Sequence, residues 1–427
     1  MRLGVLTSGG DCPGLNAVIR AVVRRAERAF GAEVIGFADA WRGVLEGDYE
    51  TLTVERCRGL LPRGGTILGT SRIQPYQFDD GVQRVRKTMF RLGLDGIIVI
   101  GGNGSLGAAR DLCVDGVPCI GVPKTIDNDV AGTDETFGFD TAVGVATDAI
   151  DRLHTTAEAH ERAMVVEVMG RDVGHIALHA GLAGGAATIL IPEVPFHIDD
   201  VVAVIERRRK LGRYASIVVV AEGSMPAEGT LDMPSYETDE FGHRRLGGIG
   251  GVVAQELERR SGMECRLTTL GYVVRGGTPS SRDRVLATRF GVAAVDLAAE
   301  GRWGSMVGLA GTSVVPVPLD EVAGRIKTCD LDLSRGGRGL FQLSWRGAST
   351  GGSLVGGAAA LRAERAPLLH QGDQVDRLFD GGVQLGRLGH GPNEVARRDR
   401  VLGPVSSGDG GALSGDEKPE ATVGLEL

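Results

Sequence analysis

Short runs of apolar, often β-branched residues alternate with amphipathic stretches along most of the chain. The runs are Arg2–Thr7, Glu33–Phe37, Gly96–Ile100, Pro118–Val122, Ala163–Val168, Thr188–Ile191 and Ser216–Ala221. They lack regular polar alternation, so both faces of each predicted strand are expected to be buried, as in parallel sheets covered by helices. The stretches between them, such as Leu15–Phe30, Asp140–Ala157, Asp199–Leu211 and Val252–Arg260, space apolar residues at helical intervals. The fold class expected is α/β, with two doubly wound parallel-sheet domains. A length of 427 residues agrees with two domains rather than one.

The alternation stops near Leu333. Beyond it the chain is rich in Gly, Arg, Ala, Ser and Leu and contains a single lysine, Lys418. Residues 334–427 are read as an atypical tail, disordered or loosely attached. A shifted reading frame near Ser334 would give the same Arg- and Gly-heavy composition.

Charge narrows the partners. A net charge of −8 argues against a general binder of nucleic acid or membrane surfaces, leaving local clusters of Arg, Lys and backbone N–H groups to bind anions. The six cysteines form no C-x-x-C pair and no zinc spacing, so free thiols in a reducing compartment are expected. No apolar run is long enough to span a bilayer and no secretory leader is present, which makes the cytoplasm the expected location.

Candidate chemistry lies where the strands end. Arg2–Thr7 runs into Ser8-Gly9-Gly10-Asp11-Cys12-Pro13-Gly14 just before a helix, a loop whose backbone N–H groups can approach a phosphate. A tight turn without ligand is the alternative. The second loop, Gly101-Gly102-Asn103-Gly104-Ser105, contains G-x-G-x-x-G through Gly107. The next strand ends at Gly121-Val122-Pro123-Lys124 with no acid at its tip, which disfavours a dinucleotide site. The third loop, Pro123 to Asp129, holds two carboxylates two residues apart. One is suited to a hydroxyl proton and the other to a metal held through water; Asx-turn residues are the plainer reading. Met169-Gly170-Arg171, Glu222-Gly223, Arg162, Arg266 and Arg275 lie near further strand ends, and guanidinium forks suit phosphate.

These loops, in this order, are similar to those of the ATP-dependent 6-phosphofructokinase family. S-G-G-D-x-P-G-x-N from Ser8, K-T-I-D-N-D from Lys124, M-G-R from Met169, A-E-G from Ala221 and R-G-G-x-P from Arg275 carry the resemblance, which extends from Gly4 to about Asp332. It implies transfer of a phosphoryl group from MgATP to C1 of fructose 6-phosphate. Asp127 would take the hydroxyl proton, with Gly10, Thr125 and Arg171 around the transferring group. Arg72 and the loop from Gly101 to Ser105 would meet the donor, and Asn103 and Asp129 would hold Mg2+. Arg162, Met169, Gly170, Glu222, Arg266, Tyr272 and Arg275 would bind the sugar phosphate. A homotetramer with shared active sites is implied, because some of these arginines come from a neighbouring subunit in the family. Residues 1–138 with part of 251–301 would form the donor domain, and 139–250 with part of 302–333 the sugar-phosphate domain, with the site in the cleft.

Several positions bear on how such a site would work. Family members that use pyrophosphate usually carry Asp where this chain has Gly104, and Lys where it has Lys124; Gly104 leaves room for a nucleotide and favours ATP. Asn103 stands where a carboxylate is common, and Tyr272 where His usually faces the substrate phosphate. Both departures motivate a low-activity binding or regulatory relative as an alternative to the kinase. Arg20 and Arg24 match the family's effector pocket, whereas His154 and Ala187 replace its expected Arg and Glu. His175 and His179, four apart, are read as ordinary helix residues.

Overall fold

The computed structural model describes residues 1–231 and 247–332. The tail expected at 334–427 lies outside the described residues. The expected apolar runs form strands buried on both faces, joined by partly exposed strands at the sheet edges. They are β1 (Arg2–Thr7), β2 (Glu33–Phe37), β3 (Tyr49–Leu52), β4 (Gly96–Gly101), β5 (Cys119–Pro123), β6 (Ala163–Val168), β7 (Thr188–Leu190), β8 (Ser216–Ala221), β9 (Cys265–Thr269), β10 (Ser305–Ala310) and β11 (Ser313–Pro318). The helices are α1 (Leu15–Phe30), α2 (Trp41–Glu46), α3 (Gly81–Leu92), α4 (Asn103–Val114), α5 (Phe139–His160), α6 (His175–Ala183), α7 (Ile198–Lys210), α8 (Ile249–Ser261), α9 (Ser281–Ala299) and α10 (Leu319–Val322).

Two sheets result. The first has the order β11-β10-β5-β4-β1-β2-β3, and the second β7-β8-β6-β9. In the first, β2, β1, β4, β5 and β10 run parallel, while β3 and β11 close the edges antiparallel. All pairings in the second are parallel. Val5, Ile98, Ile100 and Val122 are fully buried at the centre of the first sheet. Each such side chain contributes about 1.5–3 kcal/mol by leaving water.

The strand order of the first sheet reverses between β1 and β4. Loops after the two strands on either side of such a switch open a crevice at the carboxyl ends, where ligands bind in open α/β sheets. The turn into α1 depends on Gly14, whose φ of 107° is left-handed and whose Cβ would sit 2.7 Å from the Phe137 ring.

Within 302–333, β10 pairs with β5 through Ser305 and Met306, so 305–318 extend the first sheet. Strand β9 joins the second sheet, with Cys265 opposite Ala163, and α8 packs against β9 and β6. Within 251–301 it is α9 that returns to pack on α1. The edge hairpin carries Pro316 and Pro318, which lack a ladder donor and obscured it in the sequence.

Candidate active site

The three loops converge because β1, β4 and β5 are neighbours. Ser8 N–H donates to the Ile100 carbonyl at 2.9 Å, and Lys124 N–H to the Gly101 carbonyl at 3.0 Å. Lys124 is 3% exposed, and its ammonium donates to the Gly10 carbonyl, tying the third loop to the first. Burial lowers its pKa. A Cβ on Gly9 would lie 3.6 Å from Lys124 Nζ and 3.7 Å from Ser105 Oγ, while one on Gly10 would lie 2.9 Å from Arg275 Nη1. Glycine is therefore required at position 10 unless Arg275 moves. Residues 70–74 run beside both loops: Thr70 Oγ1 donates to the Gly9 carbonyl at 2.6 Å, and Gln74 Nε2 to the Gly104 carbonyl at 3.3 Å. Arg72 is carried between these two anchors.

The third loop presents its carboxylates through a bent backbone. Asn128 is left-handed, with φ 55°, and its buried side chain accepts from Thr136 N at 3.1 Å. Thr125 Oγ1 accepts from Asp127 N at 3.0 Å. Oδ1 of Asp127, Oδ1 of Asp129 and Oδ1 of Asn103 are shut off from solvent and have no hydrogen-bond partner. Burial, then the neighbouring Asp129 charge, pushes the Asp127 carboxyl up to about 6, against the pull of Arg275. Burial also raises Asp129.

Those unpartnered oxygens test the fit of a divalent cation. Asn103 stands at the start of α4, where its Nδ2 donates to Asp129 Oδ2 at 2.8 Å, leaving one oxygen of each residue free. Hard oxygen donors suit Mg2+, which keeps several waters and leans on substrate phosphates rather than on a full protein cage. Among the described residues there is no group of three or more His, Cys, Asp or Glu able to hold a metal.

The second sheet supplies the facing wall. Met169-Gly170-Arg171 follow β6, and Glu222 follows the adjacent β8. Arg171 is left-handed at φ 49°, and its N–H donates to Glu222 Oε1 at 3.2 Å. Burial raises the Glu222 carboxyl, partly offset by these backbone donors and by Arg275. Arg275 bridges the two walls: Nη1 donates to the Asp11 carbonyl at 3.1 Å, and its charge favours ionised Asp127 and Glu222.

Residues 2–298 match the family model described as phosphofructokinase. The chain belongs to the phosphofructokinase family. It is 56% identical to a pyrophosphate–fructose 6-phosphate 1-phosphotransferase of Streptomyces coelicolor, over 77% of this chain and 96% of the relative. Against ATP-dependent 6-phosphofructokinase 3 of the same organism it is 55% identical, with the same shares covered. Among solved structures, Pichia pastoris phosphofructokinase in the T-state superposes with a TM-score of 0.67 at 32% identity, over 75% of this chain and 35% of the longer yeast chain.

Within this phosphofructokinase chain, not every residue singled out from sequence reaches the crevice. Gly10, Lys124, Thr125, Asp127, Asp129, Asn103, Ser105, Met169, Arg171, Glu222 and Arg275 lie at the facing strand ends. Arg162 and Arg266 do not: they sit at the starts of β6 and β9, roughly 20 Å of strand from Met169. There they share Glu264, with Arg162 Nη2 at 3.5 Å from its carboxylate. Tyr272 is 80% exposed, three residues before the inward-turned Arg275. Arg20 and Arg24 line an open cavity of about 460 Å³ with Arg25, Arg28 and Thr288. His154 instead meets the Gly184 carbonyl at 2.6 Å. His175 and His179 pack edge-on against Phe139.

Sequence reasoning passed over Asn128, Gln74 and Lys327. Asn128 was visible as the residue between two aspartates. Lys327 carried no signal, since one lysine in a polar segment reads as surface charge.

Proposed function

We propose that this protein is an ATP:fructose-6-phosphate 1-kinase whose proton acceptor is Asp127. The observation that carries the reading is the Asp127 Oδ1 atom, sealed from solvent without a protein partner in a crevice walled by Glu222 and Arg275. A base ionised near neutral pH and placed there takes the proton from the C1 hydroxyl as that oxygen bonds to the donor's terminal phosphorus. Gly10 N–H, Thr125 and Arg171 stabilise the charge on the transferring group, and Arg72 with the loop from Gly101 to Ser105 holds the donor. Asp129 and Asn103 would hold Mg2+, which would supply neutralisation of the donor's phosphate charge. Met169, Gly170 and Glu222 meet the sugar.

Arg162 and Arg266 serve the site of a neighbouring subunit in a homotetramer. Arg266 also reaches Glu258 Oε2 at 4.0 Å, so the two guanidiniums face two carboxylates at the surface, and a substrate phosphate would compete with those carboxylates for them. Such exposed pairs stabilise the fold by no more than about 1 kcal/mol. Tyr272 belongs to the same outward-facing set.

ATP is favoured as donor because Gly104 is exposed and leaves its side open beside Gln74, with a Cβ there 3.3 Å from Nε2. A pyrophosphate-dependent version is supported by buried Lys124, whose ammonium reaches from the third loop to the first, and relatives at 55–56% identity carry either name. Initial rates with fructose 6-phosphate and Mg2+, with ATP or pyrophosphate in parallel, test this. Turnover with pyrophosphate alone overturns the donor assignment, and a folded protein silent with both leaves the low-activity binding reading standing.

A further inference from the structure

Residues 326–329, beyond the end of the family match at 298, form a strut between the two walls of the crevice. Ile326 bridges Val130, and Lys327 N–H donates to the Asp129 carbonyl at 2.9 Å. The Lys327 ammonium donates to Asn128 Oδ1 at 2.8 Å and to the Thr133 and Asp134 carbonyls at 2.9 Å each. In the other direction, the Lys327 carbonyl meets His175 Nε2 at 3.2 Å, and Cys329 N–H donates to Glu193 Oε1 at 3.0 Å. Glu193 in turn accepts Gly174 N–H at 3.1 and 3.0 Å, just before α6 of the second wall.

All three ammonium hydrogens of Lys327 are thus spent on one loop, with Asn128 at its centre. Asn128 is the residue whose left-handed backbone sends Asp127 and Asp129 to their positions. A non-glycine residue held left-handed persists when its surroundings fix it, and Lys327 supplies that hold. The Lys327 ammonium has no donor left for a phosphate or sugar, since its three hydrogens are taken by protein acceptors. We infer that Lys327 is a positioning residue for phosphoryl transfer, holding the Asp127–Asp129 loop in its reactive geometry and coupling that loop to the second wall. The inference rests on the reading of Asp127 as the base.

The experiment compares Lys327→Met, Lys327→Arg, Asn128→Gly and the double variant Lys327→Met with Asn128→Gly, with Asp127→Asn as control. Displacing a reacting group by about 1 Å can cost roughly 10²-fold in rate, so Lys327→Met is expected to lower kcat by that order. KM for fructose 6-phosphate should stay within about threefold, because groups that only bind are untouched. Arginine should recover part of kcat. The double variant should lose no more than the worse single one, because both break the same contact. Hydrogen exchange at residues 127–136 should quicken in Lys327→Met while β4 amides stay protected, a readout independent of turnover. Wild-type kcat with unchanged exchange in Lys327→Met, or fully additive losses, overturns the inference. If Lys327→Met does not fold, Asn128→Gly alone decides, by the same drop in kcat at steady KM. An unaffected Asp127→Asn instead overturns the base assignment itself.

Discussion

The Asp127–Asp129 loop and the Arg162–Glu264–Arg266 cluster are both charged, yet they differ in how complete they are. Oxygens of the loop are buried without partners and its backbone is bent, a configuration with no benefit to folding. The arginine cluster, at the opposite end of its strands, is partly exposed and its Arg162 and Arg266 guanidiniums pair with Glu264, leaving only Arg162 Nε buried without a partner. On the proposed function, a single chain holds the proton-transfer wall while its outer arginines serve a neighbouring subunit. Mutations should separate the two regions, the first through kcat and the second through KM.

Asp127→Asn carries the largest expected effect. Removing a general base costs about 10²–10⁴ in kcat, with little change in binding. Before mutation, kcat/KM should fall as pH drops through about 6, because protonation abolishes the base and its folded pKa is raised to that value. The residual activity of the asparagine variant should lack this acid limb. A limb that persists there would belong to another group, with Glu222 the first to examine.

Arg162→Ala and Arg266→Ala come next, with KM for fructose 6-phosphate rising about tenfold at near-constant kcat, as loss of a charge-assisted bond allows. Mixing sharpens the comparison. If Arg162 completes a partner's site, co-assembled Asp127→Asn and Arg162→Ala chains, assayed at fructose 6-phosphate well below KM where both parents are weak, regain about a quarter of wild-type activity, since hybrid pairs hold one intact site. No recovery in a verified hybrid would place both residues in one chain's site.

Much of this was legible before the fold was known, for a physical reason. β1, β2, β6 and β8 keep the bounds expected from their apolar runs, because strands buried on both faces are nearly all apolar, and the buried Glu167 of β6 is satisfied by Gly248 and Gly250 N–H. The loops were legible because glycine and paired aspartates are expensive to place without a task. What stayed hidden depends on tertiary partners. β3, Tyr-Glu-Thr-Leu on an edge, and the proline-bearing β10–β11 hairpin look like loops until a neighbour pairs with them. Arg162 and Arg275 are the same residue type near strand ends, and only topology sends one away from the crevice and the other into it.

Tyr272→Gly would remove a contact, but Tyr272→His is the finer probe and should have the smallest effect. Tyr272 is 80% exposed, so the fold has no stake in its ring, and Tm should move little. A phenol donates one hydrogen bond and stays neutral near pH 7, whereas imidazole becomes cationic below its ordinary pKa of about 6.5. If this position faces a phosphate bound by the neighbouring subunit, His should lower KM for fructose 6-phosphate by a few-fold at pH 6 and hardly at all at pH 8. The gain must follow protonation, because charge is what the substitution adds. An equal change at both pH values would assign it to packing, and no change at either would remove Tyr272 from the shared site while leaving Arg162 and Arg266 in it.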